Sequence, residues 1–282
     1  MKKPLKITLI SVLAFLLLAV AGFLIYLAVR PKGQSRDEVE IKPAEQTYID
    51  GNTKNIAECT PNECLFILAS NLKKTTSYHT TIKGEVNAGG IYKQEISGEK
   101  FKKGGDSLYV SSSKSALKST ADQIFIENDT VLVRHGNGNT GVYEDTAEKF
   151  TYGEYIKEYG TDFRELSNYE LNEKNIVSGE LLSAENGVYT FTYEINVQTG
   201  VDAYRVNMYK MGGLTELPTF TKSTLTVSMT ADFMPISVTQ IDEYSINMIL
   251  TLSCVSTLTE TFERIDDVSV SIPELSFFKS MI

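Results

Sequence analysis

The most constraining feature of this chain is an uncharged run of 23 residues, Ile7 to Val29, reading ITLISVLAFLLLAVAGFLIYLAV. As a helix rising about 1.5 Å per residue it reaches roughly 34 Å, enough for the ~30 Å hydrocarbon core of a bilayer. A transmembrane helix is therefore expected at 7–29, after a cytoplasmic tip at 1–6. Ala19-Val20-Ala21 also fits a signal-cleavage pattern, but the apolar run continues through Phe23 to Leu27. A cleaved signal needs only about 7–15 apolar residues, so an uncleaved single-pass anchor in the cell membrane is the expectation.

Six of the 27 basic residues stand in the first 36 positions with no acidic one among them, which leaves 21 basic against 36 acidic side chains afterwards. Nucleic acid is excluded as a partner, because its phosphates need clustered Lys and Arg. Two His, three Cys and no Trp leave little material for a metal or His-based site, so neither metal nor cofactor is expected.

Orientation cannot be read from Lys2, Lys3 and Lys6 against Arg30, Lys32 and Arg36, an even balance. Cys59 and Cys64 decide it. Between them Thr60 reads as an N-cap, Pro61 as the first helical residue and Glu63 as the partner in a capping box. Cys59 and Cys64 then occupy the two positions whose side chains meet in a hydrophobic staple. A disulfide there, expected in preference to two packed thiols or half a metal site, places the body outside the cytoplasm.

Residues 30–58 are polar and aperiodic, as in a linker, and the folded domain is expected over 59–270 with a tail at 271–282. Cys64, Leu65, Leu68 and Leu72 predict an amphipathic helix over 61–74. Strands follow from Tyr78 onward, with hairpin turns at Asn128-Asp129 and Glu185-Asn186-Gly187. Helices are expected over 146–159 and 201–211, with a further polar and partly helical stretch to about Asn172. Thr224 to Thr230 and Ile236 to Ile241 form a late hairpin, and the alternation from Tyr244 to Phe262 predicts one long strand broken near 253–257. Runs of strands with clustered helices give an α+β class with a curved antiparallel sheet and helices on its concave side.

This order of elements, with the hairpin at 224–241, resembles the LolA/LppX-like superfamily of extracytoplasmic lipoprotein and lipid carriers and sensor domains. The resemblance covers about residues 60–267 and implies an incomplete barrel able to hold acyl chains. The anchor departs from the carriers' cleaved or lipidated N-terminus and argues for a tethered protein. On that resemblance the apolar faces of Tyr189, Phe191, Tyr193, Leu225, Val227, Met229, Tyr244, Ile246, Met248 and Leu250 line the concave side, whereas a period-2 apolar face read alone is ordinary core. A cavity of about 300 Å³ or more beneath the sheet would separate the two.

Catalysis has no positive signal. Ser111-x-x-Lys114 and Ser115-x-x-Lys118 match a nucleophile motif without its Lys-Thr-Gly companion. Gly136 to Asn139 reads as a turn, His79 and His135 as solvated, and Cys254 as a buried thiol. The expectation is a membrane-anchored extracytoplasmic domain that is not an enzyme and binds a lipid or other hydrophobic ligand, in envelope sensing or lipid handling. The alternative is a ligand-free surface module that meets protein partners through its Ser/Thr-rich strand faces.

Overall fold

The computed structural model of the chain describes residues 20, 33–40, 44–51, 54–116, 119–247 and 251–282. Apart from Val20, the expected transmembrane helix lies outside them, as do Met248 and Leu250. Among the described residues no helix is long and apolar enough to cross a membrane.

The expected α+β class is corrected. Twelve strands hold 48% of the described residues and helices only 19%. The strands form one open, curved antiparallel sheet in the order β6-β5-β4-β3-β2-β1-β12-β11-β10-β9-β8. They are β1 (Ser77–Ala88), β2 (Tyr92–Lys103), β3 (Asp106–Ser115), β4 (Ser119–Glu127), β5 (Thr130–Asn137), β6 (Val142–Tyr143), β7 (Glu148–Thr151), β8 (Ile176–Glu185), β9 (Val188–Ile195), β10 (Thr219–Thr230), β11 (Pro235–Asn247) and β12 (Thr251–Ile265). The helices are α1 (Pro61–Lys74), α2 (Tyr152–Tyr159), α3 (Asp202–Gly212) and α4 (Leu275–Lys279). Two meanders, β1 to β6 and β8 to β12, are thus zipped together at a seam where β1 pairs with β12.

The seam is tight at Gly84. A Cβ there would lie 2.6 Å from the carbonyl oxygen of Thr257, so only glycine admits this approach of backbones.

The inner face carries the main core. Tyr78 and Val86 of β1, Phe191 and Tyr193 of β9, Leu225, Val227 and Met229 of β10, and Val238 and Tyr244 of β11 pack under α1. The capping box is present: Thr60 Oγ1 accepts from the Glu63 amide at 3.3 Å, and Glu63 Oε2 accepts from the Thr60 amide at 2.9 Å. Leu65, Phe66, Ile67 and Leu68 are all fully buried, so α1 is enclosed on several sides and not laid on one. Each such side chain contributes about 1.5–3 kcal/mol relative to exposure. α2 packs Tyr155, Ile156 and Tyr159 on the same face over Ile124, Ile126, Val131 and Val133. Residues 271–282, expected as a tail, cover Leu108, Phe125 and Leu132 on the outer face with Ile272 and Phe278.

Several local expectations are also corrected. The helix expected from Thr146 begins at Tyr152, because Thr151 caps it and Glu148–Thr151 instead pairs with β5, Phe150 opposite Val131. The stretch to Asn172 is irregular. Its Ser and Asn side chains take backbone amides, Tyr169 N donating to Ser167 Oγ at 3.1 Å and Lys174 N to Asn172 Oδ1 at 3.0 Å, which competes with helix formation. The long strand from Tyr244 is two strands. Asn247 pairs with Thr251, so the two strands keep one parity and Tyr244 and Cys254 both face inward, opposite one another.

The disulfide is corrected too: Cys59, Cys64 and Cys254 are all free. Cys64 Sγ is instead a thiol directed at the Ile56 carbonyl oxygen, 4.0 Å away. Burial pushes the Cys64 thiol up to about 12, so it packs as a small hydrophobe.

Candidate functional site

The residues expected to line a ligand site converge on one trough floor. Leu225 lies opposite Tyr193, Val227 opposite Phe191 and Met229 opposite Tyr189, while Val227 meets Val238 on its other side. Leu225, Val227, Met229 and Tyr193 are fully buried and Phe191 nearly so; Tyr189 and Ile246 are half-buried at the margin. α1 sits directly on this floor, and the Tyr193 hydroxyl donates to the Pro61 carbonyl at 2.8 Å.

On the inner face two irregular segments pack with α1. Residues 44–51 bond to it through Ile49 N to Phe66 O at 3.3 Å. Residues 160–175 form a strap that joins the same layer through Thr47 N to Leu171 O at 2.8 Å. The strap starts at Gly160, whose positive φ of 83° suits glycine, and a Cβ there would lie 2.2 Å from the Ala203 carbonyl oxygen of α3.

The interior is filled. Between the strap and α2 is a cavity of about 50 Å³, lined by Gln46, Tyr152, Asp162, Glu165, Asn168 and Tyr169 among others. It has room for a few waters, while small-molecule sites run to about 300–1,000 Å³. A larger space, about 610 Å³, is an open polar groove on the outer face, lined by Lys83, Glu85, Glu95, Ser97, Ser112, Lys114, Thr257 and Thr259 with Gly84 and Ile96.

Beneath the strap the apolar floor is interrupted by two polar side chains that sequence reading missed, Gln240 and Asp242 of β11. Asp242 is 1% exposed. Its Oδ1 accepts from the Tyr169 hydroxyl of the strap at 2.6 Å and from Ser223 Oγ of β10 at 2.7 Å, and Oδ2 accepts from Ser256 Oγ of β12 at 3.4 Å. Burial raises its carboxyl to about 6 against the opposing pull of these three donors. Gln240 Oε1 accepts from Asn168 of the strap at 3.3 Å, and its Nε2 is buried without a partner. The available signal was parity: Gln240 and Asp242 alternate with Val238 and Tyr244 on the inward set.

Two further polar groups share the inner face. Lys100 and Glu260 pair at 2.6 Å, with Thr80 donating to Glu260 at 2.7 Å. Asp122 lies between Ser111 and His135 on adjacent strands, 2.7 Å from His135 Nδ1. With the acid in the middle, the imidazole is not interposed to take a proton from Ser111, as a hydrolase triad requires. Ser111 and Lys114, three apart on a strand, face opposite sides of the sheet, so this Ser-x-x-Lys match does not bring its lysine to its serine. Lys118 of the second match lies outside the described residues. Among the described residues no group of three or more His, Cys, Asp or Glu is placed to hold a metal.

No family model matches the chain, and no curated protein matches it. Among solved structures it is similar to a LolA superfamily protein from Nitrosomonas europaea, at 12% identity over 79% of this chain and 100% of that one, with a TM-score of 0.29. It is also similar to MucB in complex with MucA(peri), at 9% identity over 72% and 94% with a TM-score of 0.12. A third is an N-terminal dehydratase from the difficidin assembly line, at 9% identity over 77% and 85% with a TM-score of 0.13. None of the three assigns a ligand or an activity to this chain.

Proposed function

We propose that this chain is a non-catalytic binding domain for a lipid or another apolar molecule, taken up on the trough floor of Phe191, Tyr193, Leu225, Val227 and Met229 when the layer formed by α1 and the strap lifts. The observation that carries the reading is the buried carboxylate of Asp242, which has no cation partner among the described residues and is set with Gln240 into a mostly apolar floor beneath a strap that it helps to hold. Such a group costs stability in a closed domain, and perturbed buried acids concentrate at functional sites.

A second reading is supported by the outer face. Thr192, Thr226, Thr239 and Thr259 stand in register across four strands, with Thr239 and Thr259 hydroxyls 3.0 Å apart, leading into the 610 Å³ groove. Hydroxyl ranks of this kind suit a polar protein partner and need no apolar ligand.

Native mass spectrometry of the purified chain, followed by organic extraction, separates the two. Acyl species at a fixed stoichiometry are expected. An unliganded mass that persists after incubation with phospholipid vesicles retires the lipid reading and leaves the outer face.

A further inference from the structure

We propose that the contact between Tyr169 and Asp242 is a pH-sensitive latch on the strap: the protonated acid holds residues 160–175 down over the trough, and the ionised acid loosens them. The latch would control access to the trough proposed above, and in that sense rests on that reading.

The geometry says where the proton goes. Oδ1 is taken by two short bonds, from Tyr169 and Ser223, whereas Oδ2 has only the 3.4 Å contact with Ser256. A proton on Oδ2 can be donated to the Ser256 hydroxyl oxygen, while Oδ1 goes on accepting from Tyr169. Protonation therefore removes the buried charge and keeps the latch bond. Ionisation leaves a carboxylate with hydroxyl donors but no counter-charge, and lifting the strap relieves that by admitting water.

The groups facing Asp242 offer no cation. They are Tyr169 from the strap, Tyr204 from α3, Ser223 from β10, Gln240 and Tyr244 from β11, and Ser256 and Cys254 from β12. No Lys, Arg or His among the described residues pairs with it. The strap holds four other carboxylates, Asp162, Glu165, Glu170 and Glu173. Asp162 is paired with Arg164 at 2.6 Å and accepts from the Tyr152 hydroxyl at 2.9 Å. Glu165 accepts from the Tyr48 hydroxyl at 2.8 Å, and burial raises its carboxyl and that of Glu170, which makes these two the rival sources of any pH effect.

Hydrogen exchange of the full-length chain, corrected for intrinsic rates, tests the latch through the bonded amides of Tyr169, Glu170 and Leu171. With the closed-state acid near 6 and a solvated one near 3.9, protection is expected to be about tenfold higher at pH 5.0 than at pH 7.5. Asp242→Asn should abolish the difference, Glu165→Gln and Glu170→Gln should each keep it, and Tyr169→Phe should lower protection at both pH values. Equal protection of the unsubstituted chain at the two pH values overturns the latch. So does a difference that survives Asp242→Asn or disappears in Glu165→Gln or Glu170→Gln, which keeps the test decisive even if one variant misfolds. The measurement uses no ligand, so a failure of lipid binding and a failure of the latch are told apart.

Discussion

Lys100 on β2 reaches across β1 to Glu260 on β12, its Nζ 2.6 Å from Oε2, with both side chains buried and Thr80 of the intervening strand donating to the same carboxylate. The pair straddles the seam where the two meanders meet. Removing one partner leaves a buried charge uncompensated, which costs about 3–5 kcal/mol, whereas replacing both by apolar residues of similar volume is far milder. Lys100→Met and Glu260→Leu should each lower the urea midpoint sharply, and the double variant should recover most of the loss. A double variant as unstable as the sum of the singles would show that the two charges are not coupled across the seam.

Asp242 gives stability an unusual pH slope. Its folded carboxyl lies near 6, above the unfolded value of about 3.9, so between those values the folded state holds more protons than the unfolded one. Its contribution therefore falls as pH rises from about 4 to 6 and levels off above about 7, by roughly 3 kcal/mol in all. Other acids impose their own slopes, so the quantity to measure is the difference in unfolding free energy between the chain and Asp242→Asn from pH 4 to 8. That difference should shift in favour of the Asn variant as pH rises, and a flat difference contradicts the raised carboxyl.

All three cysteines are free. Alkylation in denaturant without reductant should add three labels per chain. In the native state Cys59, half-buried, should react before Cys64, which burial makes inert. A single label in denaturant would mean that Cys59 and Cys64, or another pair, are bridged in solution.

The C-terminal segment is part of the fold. Phe278 is fully buried and stacks on Phe125 with ring centroids 5.0 Å apart, and Lys279 pairs with Asp106 at 2.7 Å and Glu127 at 2.9 Å. Phe278→Ala should cost about 3–5 kcal/mol in chemical denaturation. Truncation after residue 270 should expose Leu108, Phe125 and Leu132 and raise binding of an apolar dye; unchanged dye binding would show that the patch closes without its cover.

What the sequence by itself determined is local. The α1 start follows from Thr60, Pro61 and Glu63, whose side chains satisfy amides within three residues. The hairpin turns follow from Asn128, Asn186 and Gly187, which take the positive φ that the chain reversals need. The alternation that brings Phe191, Tyr193, Leu225, Val227 and Met229 to one face is local too, because a strand turns each successive side chain to the opposite side. Tertiary structure alone decided which strands meet, since period-2 patterns are interchangeable and nothing in β1 names β12 as its neighbour across more than 160 residues. It also placed Glu148–Thr151 in the sheet and not in a helix, docked Phe278 on Phe125, and set Asp242 under Tyr169 from 73 residues away. A polar residue at an inward position reads the same in sequence whether it is satisfied or strained, because burial and hydrogen-bond partners come from elements that only the folded chain brings together.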